Sequence, residues 1–316
     1  VDAVVGLLDG VRARGAFVLR MKMDPPWSMN IRDEALTLIC QTRGSAVIVG
    51  ESSGTTWLHP GDVALARGTE HYLFADDPAT TPMIVIHPGQ RCTTLSGEDL
   101  RFEMSLGVRT WGNSDSGTTT TVICAYEGRS EVSERLLAAL PALLVLRADD
   151  WNSPLVEMLA EEAGLDGPGQ EAYLDRLLDV LLIAVLRAWF DRGENAPTWW
   201  HAERDPVVGR ALKLIYNNPS HPWTVANLAA AVGNSRAVFA RRFTDQVGEP
   251  PIAFLTSWRL AMAADMLRSS RTTIGAIARQ VGYGTPFALS SAFKRAYGVS
   301  PNTYRAEAGA SEATGA

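Results

Sequence analysis

The chain has 316 residues, with 29 Lys+Arg against 35 Asp+Glu, 46% hydrophobic and 20% charged. That length exceeds one ordinary core, and the composition excludes a disordered or fibrous chain. Three cysteines, Cys40, Cys92 and Cys124, without CxxC spacing argue against a disulfide framework and suit a reducing cytosol.

The first residues lack the charged and apolar regions of a signal peptide. The longest apolar run, Leu177–Phe190, is broken by Asp179 and Arg187 and is too short to span a bilayer. A cytoplasmic chain with no membrane partner is expected. Ala3–Val11 reads as a short helix, and Gly15–Met23 as a strand entering Asp24-Pro25-Pro26-Trp27. Candidate strands follow at Ala35–Gln41, Ala46–Gly50, Thr55–His59, Asp62–Ala66, His71–Phe74, Met83–His87 and Thr121–Tyr126. Many short strands at close spacing predict a small barrel or jelly roll. Helices are then expected at Ser130–Leu146, split by Pro141, at Asn152–Ala163, opening on Ser153-Pro154, and at Gln170–Asp191. The last is apolar nearly all round, which fits a helix buried on several sides or a seam between two copies. Arg192–Asp205 reads as a linker, and the small-residue tail 306–316 as disordered.

The stretch Trp223–Arg305 holds two copies of one pattern. Val225–Ala231 leads, Val232-Gly233-Asn234 turns, and Ser235 caps a second helix; Ile274–Gln280 leads, Val281-Gly282-Tyr283 turns, and Thr285 caps a helix with Pro286 at its first position. A glycine in a short turn between two helices predicts a helix-turn-helix, whose second helix enters a major groove. A connecting helix over Ala253–Ser269 is roughly 25 Å of rod, which sets two such helices about one DNA turn apart. Asp205–Arg305 carries 12 Lys+Arg and 4 Asp+Glu, a basic block in a chain of net charge −6. Such a block is the footprint of nucleic-acid binding.

Trp223–Leu228, Ser235-Arg236, Arg241–Phe243, Gly248–Pro251, Trp258-Arg259, Ile277-Ala278, Val281–Tyr283, Ala292–Arg295, Gly298, Ser300-Pro301 and Tyr304-Arg305 resemble the AraC/XylS family of transcription regulators. The resemblance implies a DNA-binding domain with two helix-turn-helix units behind a sensing or dimerising domain. His59-Pro60-Gly61-Asp62-Val63-Ala64-Leu65, then Arg67-Gly68 and His71, resemble the cupin-type sensor found ahead of such domains. The expected fold is therefore α+β and multidomain: a cupin-like ligand-sensing β-barrel over 1–127, a helical connector and dimerisation region over 128–192, a linker over 193–206, and an all-α DNA-binding domain with two helix-turn-helix units over 207–305.

By resemblance, the DNA-facing set on the first unit is Ser235, Arg236, Ala237, Ala240, Arg241 and Arg242. On the second it is Thr285, Pro286, Phe287, Ala288, Ser290, Ser291, Lys294 and Arg295. Arg241 has the reach for guanine O6 and N7, whereas Ser291 stands where the family often has arginine. Phe17, Trp27, Trp57 and Trp111 are candidates for an apolar effector pocket, with His59 and His71 near its rim. His59, His71 and His87 form no HxH pair, so neither a metal nor a cofactor is expected. Cys92 beside Arg91 comes nearest to a reactive thiol. The expected partners are a double-stranded DNA operator, a small-molecule effector, a second copy of the chain and RNA polymerase. The competing readings are a metal-dependent cupin enzyme with a DNA-binding tail, and a dimeric regulator without a ligand.

Overall fold

A computed structural model describes residues 17–33, 36–126, 140–151, 153–192 and 198–314. The expected helix Ala3–Val11 and residues 130–139 of the next one lie outside them. The described residues fall into two compact units, the first ending at Asp191 and the second running from Arg192.

The first unit is built on β1 (Phe17–Met23), β2 (Ser28–Ile31), β3 (Leu36–Arg43), β4 (Ala46–Gly50), β5 (Gly54–Leu58), β6 (Val63–Ala66), β7 (Tyr72–Ala75), β8 (Ile84–His87), β9 (Arg91–Thr94), β10 (Ser105–Gly107), β11 (Thr110–Gly112), β12 (Thr119–Tyr126) and β13 (Leu143–Leu146). One sheet has the order β10-β11-β1-β12-β3-β6-β13 and the other β5-β4-β7-β2-β8-β9. Strand side chains alternate between faces, so each register row commits one line of residues to the space between the sheets. On one sheet the row Leu19, Ile123, Ile39, Ala64 runs across four strands. On the other, Cys92, Ile86, Ile31 and Tyr72 do the same. The β-branched and aromatic strand residues thus face one another across a shared apolar interior.

The Pro60-Gly61-Asp62 turn is clasped from the end of the neighbouring strand of the same sheet. Asp62, 3% exposed, accepts from its own His59 amide at 3.0 Å, from Ala148 N at 2.9 Å and from Arg147 Nη1 at 2.9 Å. Arg147 follows β13, and here the sequence reading needs correction. Leu143–Leu146 is a strand paired antiparallel with β6, not the end of a helix. Pro141 breaks any helix entering it, and Leu143-Leu144-Val145-Leu146 alternates half-buried with buried residues, the period of a strand. Helices α1 (Leu155–Glu162) and α2 (Gln170–Asp191) belong to this same unit. Tyr126 Oη on β12 donates to Leu178 O on α2 at 3.1 Å.

The second unit contains α3 (Thr198–Arg204), α4 (Val208–Asn217), α5 (Val225–Ala231), α6 (Arg236–Val247), α7 (Pro251–Ser269), α8 (Ile274–Gln280), α9 (Pro286–Tyr297) and α10 (Pro301–Thr314). Residues 198–204 are therefore helix rather than linker: Ala202 packs into the core and Trp200 is buried. The expected disordered tail is helical as far as Thr314, since Pro301 starts a helix and alanines and glutamates continue it. Two clusters form the interior. One gathers Leu212, Leu228, Phe239, Phe243, Phe254 and Trp258, and the other Leu267, Ile277, Val281, Leu289 and Phe293. Helix α7 supplies both: Phe254, Leu255, Trp258 and Ala261 go to the first, and Leu260, Ala263, Ala264 and Leu267 to the second. It is apolar on opposite sides for that reason.

Candidate nucleic-acid interface and barrel cavity

The two helix-turn-helix units repeat in geometry as they do in sequence. Each lead helix is capped by threonine: Thr224 Oγ1 accepts from Asn227 N at 3.1 Å, and Thr273 Oγ1 from Ala276 N at 3.3 Å. In the turns, Asn234 N donates to Ala229 O at 2.9 Å and Tyr283 N to Ala278 O at 2.7 Å. Ser235 and Thr285 cap α6 and α9 by accepting from Val238 N and Ala288 N. Both helices close on left-handed glycines, Gly248 and Gly298.

The outer faces differ in chemistry. On α6, Arg236, Ala237 and Arg241 are exposed and Ala240 half-buried, opposite the buried Phe239 and Phe243. On α9, Pro286, Phe287, Ala288, Ser291, Lys294 and Arg295 are exposed, with Ser290 half-buried. Phe287 is 81% exposed. Arg242 is set apart from its exposed neighbours by a bond to Asp205. Its Nε and Nη2 donate to Asp205 Oδ2 at 3.0 and 2.5 Å, and Gln246 Nε2 joins them at 2.9 Å. Asp205 Oδ1 meanwhile accepts from Val207 N and Val208 N, capping α4. Burial pushes the Asp205 carboxyl up, but these five hydrogen bonds outweigh it and hold the pKa at about 2.

A bracket joins the two units. Arg259 on α7 donates from Nε to Pro219 O at 2.7 Å and from Nη2 to His221 O at 2.8 Å, both ahead of α5. A Cβ added to Gly282, in the second turn, would lie 2.7 Å from that Nη2 and 2.8 Å from Ser220 Cα. The loop of one unit and the turn of the other therefore meet at one guanidinium.

Between the two sheets of the barrel lies a cavity of about 50 Å³, by a measure in which one water needs roughly 10–15 Å³. Phe17 and Trp111 line it, as the sequence suggested, with Leu19, Met21, Met29, Ile31, Ile39, Phe74, Ile86 and Ile123. The remaining aromatic and histidine candidates are placed elsewhere. Trp27 is in the core against Phe74 at 5.2 Å. Trp57 sits on strand β5 at the sheet edge and is 38% exposed. His59 is exposed and pairs with Ser45 Oγ at 3.0 Å, and His71 is exposed. Both histidines flank strands whose ends point to solvent, so neither reaches the interior.

The cavity's polar residues were missed by sequence reasoning: Asp33, Thr37, Tyr72, Gln90 and Cys92. Residue-type patterns gave no signal for Asp33 or Gln90, although Pro88-Gly89 marked a turn. Burial first, and then the Asp99 carboxylate, push the Cys92 thiol up to about 11, and burial pushes Cys40 up to about 12. Both stay protonated at neutral pH, which removes the thiolate a reactive cysteine needs. Among the described residues no three His, Cys, Asp or Glu converge as for a metal ion, and no helix is long and apolar enough to cross a membrane.

Comparison with known proteins agrees with both halves. A cupin family model matches residues 2–191, and a helix-turn-helix domain model matches residues 228–307. An AraC-like transcription regulator of Streptomyces antibioticus is 45% identical over 42% of this chain and 44% of its own length. A second, from Streptomyces lividans, is 36% identical over 56% of this chain and 60% of its own. The regulator AlkR of Acinetobacter baylyi is 28% identical over 96% of this chain and 99% of its own. The chain thus matches about half the length of the two Streptomyces relatives and nearly all of the Acinetobacter one. With a cupin barrel ahead of a duplicated, basic helix-turn-helix unit, the chain belongs to the AraC-type DNA-binding transcription regulators with a cupin N-terminal domain.

Proposed function

We propose that this chain controls transcription by placing α6 and α9 in successive major grooves of an operator, under the control of a small apolar molecule held in the barrel cavity. The observation that carries the reading is the pairing of two capped helices with exposed outer faces on one rod. Helix α7 has 19 residues, about 28 Å at ~1.5 Å per residue, against ~34 Å for a turn of DNA. Two copies of the chain join through the helices of the first unit. Tyr173 and Val180, one heptad apart on α2, are 45% and 50% exposed, which supports a seam there.

The test is binding of the full chain to DNA selected from a random pool, followed by insertion of about half a helical turn (~5 bp) between the two contacted segments. Loss of affinity on insertion is expected, as is a steep fall with salt. A selected pool no tighter than random DNA refutes the reading. For the effector, His71→Ala and Trp57→Ala leave the ligand response intact, whereas Ile39→Trp, which fills the cavity, abolishes it. The opposite pattern moves the site to the barrel's outer edge.

A further inference from the structure

The outer faces of α6 and α9 can be compared position by position, because caps, cores and closing glycines correspond: Ser235 with Thr285, Phe239 and Phe243 with Leu289 and Phe293, Gly248 with Gly298. On that alignment Ala237 and Arg241 of α6 answer to Phe287 and Ser291 of α9. The two members of each pair lie one turn apart on a single helical face. The long guanidinium of α6 is thus replaced on α9 by a short hydroxyl, and the small methyl of Ala237 by a ring. Phe287 is 81% exposed and stands outside the cluster that Leu289 and Phe293 enter. Pro286 and Ala288 beside it are exposed as well, so the first turn of α9 offers three apolar side chains in a row.

A single exposed apolar residue is ordinary on a protein surface; its placement sets Phe287 apart. From Ser270 to Arg305 the chain carries Arg271, Arg279, Lys294, Arg295 and Arg305 and no Asp or Glu. The charge around the ring therefore suits a polyanion. The start of α9 is poorly equipped to hold a phosphate, since Pro286 has no N–H and Ala288 N already donates to Thr285 Oγ1 at 3.1 Å. In the major groove the base pairs present one alkyl group, the C5-methyl of thymine. That methyl is the feature an apolar first turn can read.

We infer that Phe287 is a specificity-determining residue whose ring packs on the C5-methyl of a thymine in the DNA segment under α9. This rests on the reading of α6 and α9 as helices lying in successive major grooves. The two units then differ in the chemistry they read: hydrogen bonding by Arg241 under the first, and a methyl contact under the second.

The experiment measures the affinity of the full chain for an operator selected from a random pool, with each thymine replaced in turn by deoxyuridine, which removes only the methyl. One or two thymines are expected at which the replacement weakens binding about fourfold, the effect of burying one methyl group. Phe287→Ala is expected to bind the unmodified operator about fourfold or more weakly and to be indifferent to deoxyuridine at those same positions. Phe287→Leu, which keeps an apolar side chain, retains part of the sensitivity. The deoxyuridine series on the wild type needs no variant, so a fold defect in Phe287→Ala leaves the inference open to refutation. Indifference of the wild type to deoxyuridine at every thymine overturns it. So does methyl sensitivity that persists in Phe287→Ala, or full affinity of that variant, which would turn the ring toward a protein partner. If the selected pool binds no tighter than random DNA, the groove reading falls and this inference with it. If Arg241→Ala relaxes a base preference but the wild type ignores deoxyuridine, the groove reading stands and this inference alone falls.

Discussion

Replacing Arg241 and Arg242 by alanine, one at a time, separates base readout from scaffolding on α6. Arg242 is 40% exposed and its partner Asp205 is 9% exposed. The substitution removes two of the five hydrogen bonds on that carboxylate and leaves those from Val207, Val208 and Gln246. A fully buried pair broken on one side costs several kcal/mol, but the guanidinium here is partly solvated. We therefore expect about 1–2 kcal/mol of stability. Arg241 is exposed on the outer face, so Arg241→Ala costs less than about 0.5 kcal/mol of stability. It instead removes about 1–3 kcal/mol of binding, concentrated at one base pair. Two measurements on the full chain decide the matter: amide hydrogen exchange across α4 and α6, and affinity for operators mutated base by base. Arg242→Ala should speed exchange by about 5- to 30-fold at 1.4 kcal/mol per tenfold, with base preferences unchanged. If Arg242→Ala instead relaxes one base preference without faster exchange, or Arg241→Ala weakens every operator equally, the assignment is wrong.

Two further outcomes follow from the same unit. The Asp205 pKa is depressed from 3.8 to about 2, so its contribution is fully present above pH 3.8 and disappears as pH falls through the folded-state value. Exchange protection of α4 and α6 should therefore drop between about pH 4 and 2, by roughly 2 kcal/mol, and Asp205→Asn should lack that window; an unchanged acid profile in the variant counts against the argument. Gly233 and Gly282 both sit in left-handed turns, at φ 72° and 82°, but a Cβ at Gly233 meets nothing within 4 Å while one at Gly282 strikes the Ser220 backbone and Arg259. Gly233→Ala should cost about 1 kcal/mol of backbone strain, and Gly282→Ala clearly more; equal unfolding midpoints for the two variants would show that the bracket at Arg259 is slack.

The second unit was largely legible because its signals are local. Caps, turn glycines and helical periodicity lie within a few residues of the structure they specify, and α5, α6, α8 and α9 run over the residues expected. What escaped was set by distant contacts. Thr198–Arg204 read as linker because Gly193 and Pro197 precede it, yet Ala202 has a core to enter and Trp200 is buried. Strands β2, β9, β10 and β11 are only three or four residues long, too short for alternation to stand out. Leu143–Leu146 became a strand because β6 offered it an edge.

The interface and the cavity divide along the same line. A recognition helix turns a periodic face outward, so its exposed residues could be read from the position of Phe239 and Phe243 alone. Arg242 lies at the border of that face, and Asp205, 37 residues away, draws it inward. A barrel cavity has no such local code. Its floor is fixed by register across two sheets, and its polar end by two loops 57 residues apart. Aromatic residues and histidines attracted attention by type, but position in the pleat decides which of them faces inward. Phe17, Leu19 and Met21 share one face of β1 and all line the cavity. Trp57 lies on edge strand β5, and His71 precedes β7. In this fold the exposed residues of α6 and α9 follow from a helical period, whereas the cavity-lining residues follow only once the strand pairing is known.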